Sequence, residues 1–186
     1  GSASVSTKVA ASIDASDFRG TVHLTGSEEA DTLISTDYGL HSDRDIWIGG
    51  ARANTLIGDA GADDMKGGAG MDIFAFFSAS DSNMSGADTI RDFTPGTDKL
   101  EFNFASFKYL GKARSHDEAL ARLQPSDADP VDIFHYMMPS TAVLDTSSST
   151  PYVDLNGDGT LDEGDMAINL KLIGSNELSA NDFWFD

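Results

Sequence analysis

Large apolar residues recur along the first half of the chain in a fixed relation to acids. Leu33, Trp47, Leu56, Met65 and Phe74 each stand two places after Asp31, Asp45, Asn54, Asp63 and Asp72. From Asp45 to Asp72 the interval is a strict nine, and the blocks read LHSDRDIWI (40–48), GGARANTLI (49–57), GDAGADDMK (58–66) and GGAGMDIFA (67–75). A further copy, GSEEADTLI (26–34), lies upstream, and residues 35–39 interrupt the phase. The period fits the template G-G-x-G-x-D-x-U-x, a glycine-rich turn followed by a short strand whose middle side chain points inward. Two such blocks make one coil, and coils stack about 4.8 Å apart with strands paired in parallel. The five apolar residues named above form the predicted inward column, with Val22 and Leu24 as its first pair.

The period stops after residue 75 and other patterns take over. Ser115-His-Asp-Glu118 is a capping box ahead of Ala119, Leu120 and Leu123, which predicts a short helix over 116–123. Residues 131–138 and 141–145 read as strands joined at Pro139-Ser140. Residues 150–153 and 166–173 alternate as strands do. Residues 4–19 are Ser/Ala-rich and weakly patterned, a strand or linker entering the roll. The expected fold is all-β, a parallel β-roll of nonapeptide repeats with one short helix downstream. Its expected parts are an N-terminal linker or strand (1–25), the roll and its closing segment (26–102) and a C-terminal lobe (103–186).

Composition narrows the function. Among 186 residues, 31 are acidic and 12 are Lys or Arg, a formal net charge of -19. Nucleic acid and anionic membrane would repel such a surface. No apolar run approaches the roughly 18 residues of a membrane span. There is no cysteine, which excludes disulfides and thiolate metal sites. At 40% apolar residues the chain can build a core. So much carboxylate in a compact object calls for counter-charge, and a bound divalent cation supplies it. Gly1-Ser2 reads as a cloning remnant and no signal peptide opens the chain, so a fragment of a longer protein is expected.

Calcium takes six to eight oxygens at about 2.3–2.6 Å, which the carbonyls of one glycine turn plus aspartates from it and from the turn one coil away can supply. Sites then form between alternate blocks: Asp45 with Asp63, Asn54 with Asp72, and Asp31 facing Asn54 if the insert merely bulges. Asn54 lacks the charge, Arg52 stands where the template has glycine, and Leu40 and His41 also replace glycines. The better half-sites are the turn of Gly58, Gly61 and Asp63 and the turn of Gly67, Gly68, Gly70 and Asp72. About two to four ions are expected. A second kind of loop runs from Asp154 to Asp165. Asp154, Asn156, Asp158, Thr160 (through its carbonyl), Asp162 and Asp165 fall at the ligand positions of an EF-hand loop, with Gly159 at the sharp turn. Asp165 stands where that loop has Glu, and strands flank it instead of helices.

The run GGAGMDIFAFFSASDSNMSGADTIRDFTPGTDKLEF (67–102), with VDLNGDGTLDEGD and the terminal SANDFWFD, resembles the repeats-in-toxin (RTX) proteins secreted by Gram-negative bacteria. It is most similar to the C-terminal calcium-binding domain of serralysin-type metalloproteases. The resemblance implies that Asp88 and Asp92 close the final calcium site with the 58–63 turn, and that the region after 102 forms an antiparallel sheet packed at the end of the roll. Asp98 is read as a turn cap beside Gly96. The C-terminal Asp182-Phe-Trp-Phe-Asp186 is similar to the export signal read by type I secretion machinery, except for its acidic ending.

No H-E-x-x-H and no G-x-S-x-G occurs, and His23, His41, His116 and His135 are scattered, so no catalysis is expected within the chain. The aromatic residues Phe102, Phe104, Phe107, Tyr109, Phe134 and Tyr136 are assigned to core ahead of a sugar-stacking platform. The expected function is a calcium-binding module that folds after type I secretion and stabilises or exports a covalently attached N-terminal effector or catalytic domain, outside the cell. An adhesin or polysaccharide-binding module, with a glycan partner, is the alternative.

Overall fold

The nine-residue period folds as two facing sheets fed alternately by the chain. The structure is a computed structural model, and it describes residues 2–15, 21–34, 44–104, 107–124, 140–174 and 177–185. The strands of one sheet are β1 (Ser2–Ser6), β3 (Thr21–Thr25), β5 (Ile46–Gly50), β7 (Asp64–Gly68) and β9 (Asp88–Phe93). Those of the other are β2 (Ser12–Asp14), β4 (Thr32–Ile34), β6 (Thr55–Ile57), β8 (Ile73–Phe76) and β10 (Lys99–Phe102). Neighbours within each sheet run parallel.

The inward column becomes two columns, one per sheet. Leu24, Trp47, Met65 and Ile90 stand in register in the first. Leu33, Leu56, Phe74 and Leu100 do so in the second. All eight are at most 1% exposed, and each large side chain so buried contributes roughly 1.5–3 kcal/mol. Val22, the other member of the expected first pair, is buried with them.

Beyond β10 the chain adds β11 (Lys108–Ala113), α1 (His116–Leu123), β12 (Thr141–Asp145), β13 (Thr150–Asp154), β14 (Met166–Leu172) and β15 (Phe183–Phe185). The helix occupies the predicted residues, capped by Ser115, whose hydroxyl accepts the Glu118 N–H at 3.2 Å. Its Ala119 and Leu123 pack with Ala113 and Val143. Strands β12, β13 and β14 are antiparallel, as the resemblance implied. Two features refine that picture. β14 pairs in parallel with β9, which makes one continuous nine-stranded sheet, and β11 joins β12 in parallel. β15 extends the other sheet by pairing in parallel with β10, placing Phe183 beside Leu100.

Phe102, fully buried, stacks on Phe76 at 5.4 Å and meets Phe107 edge-on at 4.9 Å. These rings are core, and Phe104 is the partly exposed member of the group. The expected strand at 131–138, with Phe134, Tyr136 and His135, lies outside the described residues, as do His41 and Asp186.

Candidate metal centre

The position-six residues of the repeat build two ladders, one at the entrance of each sheet. Each carboxylate accepts the backbone N–H of its counterpart one coil earlier. At the β3–β5–β7–β9 entrance, Val22 N–H donates to Asp45 Oδ1 at 2.7 Å, Asp45 N–H to Asp63 Oδ1 at 2.8 Å, and Asp63 N–H to Asp88 Oδ1 at 2.8 Å. At the other entrance, Ala11 N–H donates to Asp31 Oδ1 at 2.8 Å and Asp31 N–H to Asn54 Oδ1 at 3.0 Å. Asn54 N–H then donates to Asp72 Oδ1 at 2.8 Å, and Asp72 N–H to Asp98 Oδ1 at 3.0 Å. The pairings Asp45–Asp63, Asn54–Asp72 and Asp31–Asn54 are the ones the spacing suggests.

The turn glycines sit where a side chain would collide with this ladder. A Cβ on Gly58 would press on Asp63 Oδ2, and one on Gly67 on Asp72 Oδ2. Gly68 has φ +103° and would drive a Cβ into the Gly50 carbonyl. Gly70 has φ +120°. The Gly61 carbonyl faces Gly86 of the closing segment. Small turns thus bring carbonyl oxygens and carboxylates close together.

Electrostatics mark the same atoms. Oδ2 of Asp63, Asp72 and Asp88 is buried and has no hydrogen-bond partner among the described residues. Burial pushes the Asp63 carboxyl up to about 8 in spite of the hydrogen bond from the Asp45 N–H, and the charges of Asp45, Asp59 and Asp81 add to the rise. Burial likewise raises Asp88 well above the carboxylate range, and the charge of Asp63 adds to it. Asp72 is pushed up to about 6 by burial. A carboxylate oxygen buried without a donor is costly. The chain therefore presents a donor set made of hard oxygens with missing positive charge, which is the chemistry calcium fits. Among the described residues no three acidic or histidine side chains converge on one point.

The closing acids divide between the ladders. Asp88 joins Asp63, as the resemblance implied. Asp92 lies against the other turn, where its carboxylate accepts Gly67 N–H at 2.9 Å and Gly68 N–H at 3.0 Å. Asp98 caps its turn through Thr94 N–H at 2.7 Å, as read from sequence, and also forms the last rung over Asp72.

Asp81 was not singled out by sequence. It is 1% exposed, and its Oδ2 accepts Phe77 N–H at 2.7 Å and Ser78 N–H at 3.0 Å. Its Oδ1 is a further buried oxygen without a partner among the described residues. Burial pushes its carboxyl up to about 6, with the charge of Asp59 adding to the effect. The readable signal was Ser78-x-x-Asp81, a capping box directly after an aromatic strand.

The 154–165 loop connects β13 to β14 as a strand-flanked turn. Asp154 is fully buried and accepts Gly157 N–H at 2.6 Å and Gly159 N–H at 2.8 Å. Asp165, also fully buried, accepts Leu155 N–H at 2.9 Å and Asp162 N–H at 3.0 Å. Burial raises both carboxyls. Asp158 is exposed and holds Thr160 through its N–H at 2.7 Å. Asn156 Oδ1 accepts the Asp158 N–H at 2.9 Å, and Asp162 accepts the Gly164 N–H at 2.7 Å. The carboxylates of the loop are thus tied to its own backbone, and they do not converge on one point.

Two facing parallel sheets joined by glycine-aspartate turns define a β-roll of the calcium-binding repeat class. The Peptidase M10 serralysin C-terminal family matches residues 12–124, more than half of the chain, and the chain belongs to that family. The match runs from β2 through α1, so it contains both ladders and ends before the 154–165 loop. The family is the RTX-repeat, non-catalytic C-terminal domain of secreted serralysin-type proteins, whose repeats bind calcium. No curated protein sequence matches the chain.

Proposed function

We propose that the chain is a calcium-dependent folding module that orders after type I export from a Gram-negative cell and stabilises the effector or catalytic domain to which it is attached. The observation that carries this reading is the set of carboxylate oxygens that are buried and unpartnered among the described residues, Oδ2 of Asp63 and Asp88 on one ladder and of Asp72 on the other. Bound calcium supplies the charge that lets these groups ionise inside the roll. The residues that would hold it are Asp45, Asp63 and Asp88 with the carbonyls around Gly58 and Gly61 on one edge. On the other edge they are Asp72 and Asp92 with the turn of Gly67, Gly68 and Gly70, and Asp31 at the far coil. Asp154, Asn156, Asp158, Thr160, Asp162 and Asp165 would hold a separate ion.

In calcium-poor cytosol the net charge of -19 opposes collapse and keeps the chain exportable. Outside the cell, binding free energy becomes folding free energy. Among the described residues no helix is long and apolar enough to cross a membrane. The test is far-UV circular dichroism during calcium titration, followed by EDTA, with magnesium as control. A calcium-selective gain of β signal supports the proposal, and a chain equally folded in EDTA defeats it.

A polysaccharide-binding role is the second reading, favoured by a groove of about 750 Å³ lined by Lys112, Arg114 and Arg122 with Glu118 and Glu177. Lys112 pairs with Glu177 and Arg122 with Glu118, so the groove holds three bases against two acids, and an anionic glycan would compete with those ion pairs for its cations. A glycan array in calcium tests it, and binding to no acidic glycan removes it.

A further inference from the structure

Asn54 keeps the geometry of its ladder and changes its chemistry. Its Oδ1 accepts the Asp31 N–H at 3.0 Å, as each aspartate accepts the amide one coil earlier. The other end of the side chain is the difference. Nδ2 donates to the Arg52 carbonyl at 2.5 Å, to the Gly67 carbonyl at 3.2 Å and to Asp72 Oδ1 at 3.1 Å. These acceptors come from the two turns that face each other, Arg52 from 49–54 and Gly67 and Asp72 from 67–72. They are two carbonyls and a carboxylate, the oxygens a hard cation collects.

The partners also fix the orientation of the amide. An oxygen in that position would face three acceptors, and only the NH2 group can serve them. Asn54 is 2% exposed, so water does not compete for the place. At Asp63, Asp72 and Asp88 the second carboxylate oxygen is buried and unpartnered among the described residues, whereas here every polar atom of the side chain is engaged. Arg52 stands where the repeat has glycine, and its guanidinium turns outward to Glu29 at 3.0 Å.

We propose that the side-chain amide of Asn54 takes the place of a calcium ion between the 49–54 and 67–72 turns, so that this step of the roll closes without metal. The inference rests on the calcium reading of the other steps. The two edges of the roll then differ in kind. The edge of Asp45, Asp63 and Asp88 depends on the cation, and the edge of Asp31, Asn54 and Asp72 carries a metal-free clasp in its middle. Calcium needed for folding is reduced by one ion, and the clasped coil is the part of the roll that best survives chelation.

The test is calorimetric calcium titration of the full chain beside Asn54→Asp and the double variant Arg52→Gly/Asn54→Asp, which restores the template. Either Asp variant is expected to bind one more calcium ion per chain than the parent. Each is also expected to melt lower than the parent in EDTA, since a new buried carboxylate then faces Asp72. Asn54→Ala is expected to melt lower in calcium and in EDTA, with no gain of ion. Equal ion counts in the parent and both Asp variants overturn the proposal, as does an Asn54→Ala chain that melts with the parent. A parent that binds no calcium at all defeats the folding-switch reading instead, and the Asn54→Ala melt still decides the clasp.

Discussion

Asp63 and Asp88 meet across one coil: the Asp63 N–H donates to Asp88 Oδ1 at 2.8 Å, while Oδ2 of both carboxylates is buried and unpartnered among the described residues. The backbone bond fixes their separation, so repulsion cannot be relieved by moving apart. Asp88→Asn keeps an oxygen for the Asp63 N–H and removes one charge. A charged hydrogen-bond or ligand partner is worth about 1.5–3 kcal/mol, so calcium binding at this step should weaken roughly tenfold or more. The same variant should unfold at higher urea than the parent in EDTA. Calcium titration and chelator melts read the two effects separately.

Proton binding gives a signed pH dependence. In the calcium-free folded chain the Asp63 carboxyl titrates at about 8 instead of the ordinary 3.8. Between roughly pH 4 and pH 8 the folded state therefore holds a proton that the unfolded state has lost, and stability falls as pH rises through that window. Asp72 and Asp81, at about 6, act in the same direction over a narrower range. In EDTA, β signal should be greater at pH 5 than at pH 8. Calcium affinity should move the opposite way, rising with pH as the ligands shed protons. A calcium-free chain less folded at pH 5 than at pH 8 would contradict this account.

Two glycines with positive φ separate crowding from conformation. Gly96 has φ +82° and open space around it, so Gly96→Ala should cost only the left-handed penalty of about 1–2 kcal/mol. Gly68 adds the collision with the Gly50 carbonyl, and Gly68→Ala should prevent the coil from closing even in saturating calcium. Melting curves of the two variants check the contrast.

In the 154–165 loop, Asp158 is exposed, as are Asn156, Thr160 and Asp162, and it braces Thr160. Asp158→Ala should remove the tight calcium event of this loop while stability in EDTA falls only by the modest cost of the exposed hydrogen bonds to Thr160. Loss of the whole fold on this change would mean that the loop is structural without metal.

Phe102→Ala removes a ring that touches Phe76 and Phe107 at full burial. A loss of about 3–5 kcal/mol is expected, with calcium stoichiometry unchanged in the part that still folds. Denaturant unfolding in calcium measures it.

The repeat made much of this legible. Strict spacing carried the inward columns, the ladder pairs at Asp45–Asp63 and Asn54–Asp72, and the two-sheet roll. A cap at Ser115 and alternation at 150–153 located α1 and β13. What escaped has a common cause: it depends on partners far away in sequence. The spacing of Asp88 and Asp92 does not say that one faces Asp63 and the other Gly67. Asp81 looks like a local cap and becomes part of an acidic group only because the closing segment folds back over the 58–63 turn. Asn54 read as a weakened half-site, since a missing charge is visible in sequence and the three acceptors around its amide are not.

The topology also orders events in time. The rungs of the ladders join residues between 18 and 26 apart, from Asp45–Asp63 to Asp72–Asp98, so loop closure between neighbouring coils is short and repetitive. The join that completes the long sheet is of another kind. β14 lies on β9, and Ser82 Oγ donates to the Ala167 carbonyl across 85 residues at 2.6 Å. Closing so long a loop is slower than adding a coil. Refolding started by calcium should therefore show a fast phase from the coils and a slow phase from docking of β14, and until that docking the β9 edge stays open to a strand from another molecule.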